Sequence, residues 1–101
     1  MIKHIVFFNL ANQAEGKTKA ENALIIKEGL EKLMGVVPQL RKIEVGINHP
    51  DTPLTNWDIV LYSEFDSVDD LNIYQEHPEH KKVGAYIGKV KTDRACVDYE
   101  I

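Results

Sequence analysis

The sequence predicts an α+β domain whose elements follow the order β-α-β-β-α-β. Four segments are rich in β-branched and aromatic residues and place apolar side chains at every second position, which is typical of strands. Between them lie segments whose apolar residues recur at helical spacing. A chain of 101 residues is long enough for one hydrophobic core but not for two, so we expect a single domain over residues 1–101.

The first strand is predicted over residues 2–10, and both of its faces are apolar at the centre. One face carries Ile2, His4, Val6, Phe8 and Leu10, and the other carries Ile5 and Phe7. A polar loop is expected to follow over residues 11–17.

The first helix is predicted to begin at a capping box, Thr-Lys-Ala-Glu, over residues 18–21. Its apolar stripe consists of Ala20, Ala23, Leu24, Ile26, Leu30, Leu33 and Met34. Gly35 is expected to stop the helix, because glycine readily adopts the left-handed conformation found at helix ends.

The second and third strands are predicted over residues 41–48 and 57–65. In the second strand, Ile43, Val45 and Ile47 share one face. In the third strand, Trp57, Ile59, Leu61 and Phe65 share one face, while Val60 and Tyr62 lie on the other. The segment between these strands is rich in proline and is read as a loop, in which we expect His49 to be solvated.

A second helix is predicted to begin at Ser67 and to end near Glu76, where Pro78 disfavours helical geometry at the residue before it. Because proline is well suited to the first turn of a helix, a third helix should run from Pro78. His77 then lies at an elbow between the helices, where it is expected to cap the third helix or bond to the backbone. His80 falls in the first turn of that helix.

The last strand is predicted over residues 92–101. Ala95, Val97, Tyr99 and Ile101 share one face, and Arg94, Cys96, Asp98 and Glu100 share the other. As a lone cysteine in a strand, Cys96 is expected to be a small apolar filler.

This order of elements is ferredoxin-like: one mainly antiparallel four-stranded sheet with the helices on one face. The face without helices is expected to be apolar rather than polar, which predicts a homodimer that packs sheet to sheet. The predicted interface consists of Ile5, Phe7, Val60, Tyr62, Val97 and Tyr99.

The composition excludes several classes of protein. The net charge is −4 and no block of lysine or arginine occurs, which argues against nucleic acid and anionic membranes as partners. No apolar run approaches the ~20 residues that span a bilayer. A single cysteine excludes an internal disulfide, and we expect a cytoplasmic protein.

Several segments together resemble one family. These are residues 2–8 of the first strand, 43–48 of the second, 58–65 of the third, the run from Tyr74 to His80, and the closing Val97-Asp98-Tyr99. They resemble the stress-responsive A/B barrel domain, a dimeric α+β barrel, and more distantly the plant enzyme olivetolic acid cyclase.

This resemblance implies a set of site residues. The acid/base histidine of the plant cyclase corresponds to His80, the aspartate that orients it to Asp98, a tyrosine near the substrate to Tyr74, and a first-strand histidine to His4. A further histidine of that enzyme is replaced here by Ile59, which implies a more apolar pocket. The pocket is expected to be lined by Ile59, Trp57, Val6 and Phe8.

Two functions lead the alternatives. The first is a homodimer that binds a small organic ligand between the helices and the sheet, without a cofactor or metal. The second is a cofactor-free acid/base enzyme, related to polyketide cyclases or to lyases and isomerases, that uses a pair formed by His80 and Asp98. Two weaker hypotheses are a metal site at His77 and His80 with Glu76 or Glu79, and, by analogy of fold alone, oxygenase or haem chemistry.

Overall fold

The structure is a computed structural model that describes residues 1–101, and it confirms the predicted α+β fold. In chain order the elements are β1 (Ile2–Leu10), β2 (Gln13–Ala14), β3 (Lys17–Thr18), α1 (Lys19–Glu31), β4 (Lys42–Ile47), β5 (Ile59–Phe65), α2 (Val68–Glu76), α3 (Pro78–Val90) and β6 (Lys91–Glu100). The four long strands form one antiparallel sheet in the order β4-β5-β1-β6. The helices pack on one face of this sheet, and the hydrophobic core lies between the two layers.

Strand β1 occupies the middle of the sheet and alternates as predicted. Every residue on its helix-facing side is buried, from Ile2 through His4 to Leu10, and the residues between them are half-buried. Strand β5 repeats the pattern, with Phe65 completely buried. These two central strands therefore supply the floor of the core.

The predicted polar loop after β1 contains a small hairpin instead. Strands β2 and β3 pair with each other, and the two residues of the turn, Glu15 and Gly16, both have positive φ angles of 53° and 73°. Such a turn matches the natural twist of a two-stranded ribbon, and glycine tolerates the conformation readily. The hairpin was missed because only its glycine signals it.

Helix α1 begins as predicted and ends earlier than predicted. Thr18 accepts a hydrogen bond from the backbone N–H of Glu21 at 3.2 Å, and the Glu21 carboxylate accepts one from the Thr18 N–H at 3.0 Å, which confirms the capping box. The helix ends at Glu31, and turns carry the chain through Gly35. Leu24 and Met34, assigned to the apolar stripe, are exposed because only part of the stripe faces the sheet.

Strand β5 begins two residues later than predicted, which changes the position of Trp57. The register of β1 with β5 ends at Phe8 and Ile59, and beyond it the Asp58 carboxylate accepts the backbone N–H of Leu10 at 2.8 Å. Trp57 consequently leaves the alternation, and its ring packs against Phe7, with ring centroids 6.1 Å apart. Trp57 thus does not share a face with Ile59, and the predicted face assignment for Trp57 is wrong.

The face of the sheet opposite the helices, which we call the uncovered face, carries the six residues assigned to a dimer interface. The strand register places Ile5 between Tyr62 and Val97, with Phe7 opposite Val60. Val97 is 57% exposed and Tyr99 is 41% exposed. One end of this face is polar, because Lys3 forms a salt bridge with Glu64 and a hydrogen bond with Tyr62. The shared face is confirmed, and the interface itself stays a prediction.

None of the three helices is both long enough and apolar enough to cross a bilayer.

Candidate functional site

The elbow between α2 and α3 holds His80 in place. His77 ends α2 and also caps α3, because its ring atom Nδ1 accepts the backbone N–H of Glu79 at 3.1 Å. Pro78 is the first residue of α3, so His80 falls in the first turn as predicted. The capping role expected for His77 is confirmed.

A cavity of about 130 Å³ lies between the helices and the sheet, and we call it the inner cavity. Its wall combines apolar side chains with several that carry nitrogen. The apolar members are Val6, Phe8, Leu30, Leu61 and Ile87, the polar members are His4, Gln75, His80, Lys91 and Arg94, and Gly84 completes the wall. No carboxylate lines this cavity, so its polar groups favour an electron-rich or anionic occupant.

Burial determines the protonation of His80. Loss of water contact lowers the pKa of this imidazole below its ordinary value, and the nearby His4 acts in the same direction. The backbone of Gln75 and the charge of Glu76 act in the opposite direction and offset part of the shift. His80 is therefore neutral near pH 7, and its buried Nδ1 has no hydrogen-bond partner. A neutral imidazole has one N–H group and one acceptor nitrogen, so Nδ1 can donate a hydrogen bond to a ligand oxygen or accept a proton, depending on the tautomer.

Tyr74 packs directly against His80, with ring centroids 4.5 Å apart. Its ring also contacts Phe65 at 5.0 Å and is completely buried. The Tyr74 hydroxyl has no hydrogen-bond partner, and burial raises the pKa of this phenol. Tyr74 is not part of the cavity wall, so the structure does not give it the direct contact to a ligand that the resemblance implies.

The expected pair between His80 and Asp98 is absent, because Asp98 contacts His4 instead. The Asp98 carboxylate accepts a hydrogen bond from Nδ1 of His4. The physical reason is the strand register, which places Asp98 directly opposite His4 on the neighbouring strand. A carboxylate on Nδ1 leaves Nε2 of a neutral imidazole as the acceptor atom. His4, rather than His80, is the oriented histidine of the inner cavity.

The four residues assigned to the ligand pocket separate into two groups. Val6 and Phe8 line the inner cavity. Trp57 and Ile59 line a second, open cavity of about 650 Å³ at the end of the sheet, where the loop carrying His49 also lies. Trp57 lies away from the expected pocket because its ring packs against Phe7 on the uncovered face, whereas Ile59 is buried opposite Phe8. A ligand-binding role for these four residues stays a prediction.

Lys91, Arg94 and Gln75 line the inner cavity and were not proposed from the sequence. Arg94 carried a usable signal, because it alternates in phase with Cys96 and Asp98 on a strand whose helix side was assigned. Lys91 and Gln75 carried none, since they lie at element ends where periodicity is weak.

The expected metal ligands at the elbow do not come together. Nδ1 of His77 is occupied by its capping bond, while Glu76 and Glu79 form salt bridges with Lys81 at 2.9 Å and Lys82 at 3.0 Å. The residues that do converge are His4, Cys96 and Asp98. Cys96 is exposed, so it does not act as the small apolar filler that was expected.

Comparison with known proteins agrees with this fold. The model of the stress responsive A/B barrel domain family matches residues 2–101. A dimeric protein of unknown function with a ferredoxin-like fold from Bacteroides fragilis is 39% identical, with a TM-score of 0.79 over 99% of this chain and 95% of that one. A dimeric ferredoxin-like protein of unknown function from Thermobifida fusca is 25% identical, with a TM-score of 0.82 over 99% and 90%.

More distant structures share the fold alone. A hydroxynitrile lyase from Passiflora edulis is 16% identical, with a TM-score of 0.76 over 99% of this chain and 92% of that one. The comparison with curated proteins gives no match. Because the family model spans nearly all residues and the Bacteroides relative is 39% identical over 99% of the chain, this chain belongs to the stress responsive A/B barrel domain family.

Proposed function

We propose that this chain forms a homodimer through the uncovered face and binds a small organic anion in the inner cavity of each protomer. The dimer is supported by the apolar residues on that face and by relatives that are described as dimeric. At about 25 cal/mol per Å² of apolar surface removed from water, covering these side chains stabilises an assembly appreciably. Most homo-oligomers of this kind have two-fold symmetry.

The buried Nδ1 of His80, which lacks a hydrogen-bond partner, is the observation that carries the ligand-binding proposal. A buried polar atom left without a partner costs about 1–3 kcal/mol, which a ligand atom can recover. The imidazole adjoins a cavity whose wall also holds Lys91 and Arg94. These groups together favour a carboxylate or an enolate-like oxygen.

The volume of the inner cavity limits the size of the ligand. Pockets for drug-sized molecules measure roughly 300–1,000 Å³. The inner cavity, at about 130 Å³, is several times smaller. A short-chain carboxylate of a few heavy atoms fits this space, whereas a long polyketide requires the walls to move apart.

Ligand-observed NMR with propionate tests the binding proposal, with propionamide as the neutral probe of the same size. We expect propionate to bind the purified protein and propionamide to bind at least about tenfold more weakly. The variant His80→Leu is expected to lose propionate binding, because it replaces the imidazole by an apolar side chain of similar size and so removes the polar nitrogen. His49→Leu is the control, because His49 lies at the second cavity. Equal binding by wild-type protein and His80→Leu would overturn the proposal.

Solution mass tests the dimer separately. Val97→Lys places a charge on the uncovered face and is expected to give a monomer. Ile73→Lys is a matched control, because Ile73 is 47% exposed on α2, in the helical layer. A wild-type chain that is monomeric at micromolar concentration would contradict the dimer.

Acid/base catalysis is the second candidate, and the neutral imidazole of His80 favours it. His80 would accept a proton from a carbon or hydroxyl of the ligand, while Nε2 of His4, which is oriented by Asp98, would accept a hydrogen bond from a ligand hydroxyl. The hydroxynitrile lyase has the same fold, which supports the idea that this fold can hold a site for proton transfer. Under this candidate, His80→Ala abolishes turnover of a cyanohydrin or a β-dicarbonyl compound and leaves the mass in solution unchanged. Unchanged turnover in His80→Ala would exclude acid/base catalysis by His80.

The cytoplasmic location expected from the sequence remains a prediction. Fractionation of the native cells, followed by detection with an antibody, would test it.

A further inference from the structure

Three potential metal ligands meet at the pairing of β1 with β6. The Sγ atom of Cys96 lies 3.8 Å from Nδ1 of His4 and 3.7 Å from Oδ1 of Asp98. All three ligand atoms lie within 4.8 Å of one another. None of the functions proposed above uses Cys96.

The strand register produces this cluster. His4 pairs directly with Asp98 on the adjacent strand, and Cys96 is two residues from Asp98, so all three side chains project from the same face. His4 is almost fully buried, and its ring packs edge to face with the ring of Phe65, with centroids 6.4 Å apart. The cluster is built on rigid strands and does not depend on a loop.

The distances match the coordination of a zinc-like ion. Metal bonds of about 2.0–2.3 Å at tetrahedral angles place ligand atoms roughly 3.3–3.6 Å apart. Both distances from sulfur lie within a few tenths of an ångström of this range. The hydrogen bond between His4 and Asp98 is given up when an ion takes the place of the hydrogen between them.

The charges of the cluster also favour a cation. Asp98 has no lysine or arginine partner among the salt bridges of the protein, although its side chain is 43% exposed. A thiolate and a carboxylate together supply two negative charges. Arg94 lies near Cys96 and supplies one positive charge, so the balance at the site stays negative.

A catalytic thiol is a poorer explanation of the same cluster. In a nucleophilic triad the carboxylate and the nucleophile bond to opposite nitrogens of the histidine. Here the carboxylate and the sulfur both lie against Nδ1.

We propose that His4, Cys96 and Asp98 form a binding site for a divalent transition-metal ion of the zinc class. On binding, the thiol releases its proton to water as the metal–sulfur bond forms, and the proton on Nδ1 moves to Nε2 by exchange with water. The three protein ligands leave a fourth position for water or another small ligand. The site does not include His80, whose nitrogen carries the binding proposal, but it shares His4 with the wall of the inner cavity. Metal binding is therefore measured directly, without propionate.

Titration of chelator-treated protein with Co²⁺ tests the site, because cobalt reports sulfur coordination by its colour. We expect one equivalent of Co²⁺ per chain, a thiolate-to-cobalt charge-transfer band in the near ultraviolet, and displacement of cobalt by one equivalent of Zn²⁺. Cys96→Ser is expected to lose the band and to weaken Zn²⁺ binding by at least about 100-fold, since even supporting groups are worth roughly 10- to 100-fold. Asp98→Asn is expected to keep the band and weaken binding.

Glu100→Gln is the matched control, because Glu100 lies two residues beyond Asp98 on the same face of β6 and is exposed. It removes one negative charge from the same strand and is expected to leave binding unchanged. Cobalt binding without the charge-transfer band, or equal Zn²⁺ affinity in wild-type protein and Cys96→Ser, would overturn the proposal. Circular dichroism of each variant shows whether the fold is retained.

Discussion

His4 and His80 line the same small cavity, yet their surroundings are opposite. His4 stands on the central strand and has a carboxylate against its Nδ1. His80 stands on a helix, and its Nδ1 is buried without a partner. The strand register gives His4 its hydrogen-bond partner Asp98, whereas helix α3 fixes the position and burial of His80 without giving its Nδ1 a partner. One histidine is thereby oriented, and the other is held neutral.

The two histidines are connected through a row of aromatic rings. The ring centroid of Phe65 lies 6.4 Å from that of His4 and 5.0 Å from that of Tyr74. The centroids of Tyr74 and His80 are 4.5 Å apart. The rings of Phe65 and Tyr74 thus lie between the two histidines. Substitutions along this row test which effects reach both histidines and which reach only one.

Replacement of Phe65 by alanine is expected to have the largest effect. Phe65 is fully buried, and removal of such a ring costs about 3–5 kcal/mol of unfolding free energy. Chemical denaturation measures this loss, and NMR is expected to show both histidine rings perturbed. Leu54→Ala is the control, because Leu54 is 88% exposed and its loss should cost under about 0.5 kcal/mol. A perturbation confined to one histidine would show that the two sides are not connected.

Replacement of Asp98 by asparagine affects the His4 side alone. A hydrogen bond to a charged group is worth about 1.5–3 kcal/mol when buried, and exposure of Asp98 reduces the expected loss to about 1 kcal/mol. The nitrogen chemical shifts of His4 should report a change of tautomer, while those of His80 stay the same. A shift at His80 would mean that Asp98 acts on both histidines.

The pH dependence of stability isolates the His80 side. Because burial lowers the pKa of folded His80, the unfolded chain binds the proton more readily. Its contribution is complete above the unfolded pKa of about 6.5 and is lost as pH falls through that value toward the folded pKa. The charged and titratable groups that act on it are His4, Glu76 and His77.

Denaturation of wild-type protein and His80→Gln between neutral and mildly acidic pH measures this contribution. The variant is expected to lose less stability across the window than the wild type does. Parallel curves for the two proteins would show that His80 is not desolvated.

Replacement of Tyr74 by phenylalanine is expected to have the smallest effect, and one of opposite sign. The hydroxyl is buried without a partner, so its removal should leave the unfolding free energy unchanged or raise it by up to about 1 kcal/mol. Thermal unfolding measures the change. A loss of more than 1 kcal/mol would show that the hydroxyl has a partner in solution.

Local features of this chain were predictable from the sequence, and contacts between distant elements were not. The capping box at Thr18 and the elbow at Pro78 depend on adjacent residues, so their patterns state the structure directly. The strand faces were also predictable, except at Trp57, because alternation is a local property within a regular strand. The partner of Asp98 was not predictable, because it depends on the register of two strands whose paired residues are 94 positions apart in the sequence. The resemblance to the plant cyclase implied that Asp98 pairs with His80, whereas the residue opposite Asp98 on the neighbouring strand is His4.

His77 belongs to two helices at once, as the last cap of α2 and the first cap of α3. No spacer residue separates the two, so the rotational setting of the second helix follows from the end of the first. Each residue advances a helix by roughly 100°, so an insertion of one residue at this joint would turn the imidazole of His80 away from the sheet. Chain length at this joint is therefore as strict a requirement as the identity of the side chains on either side of it.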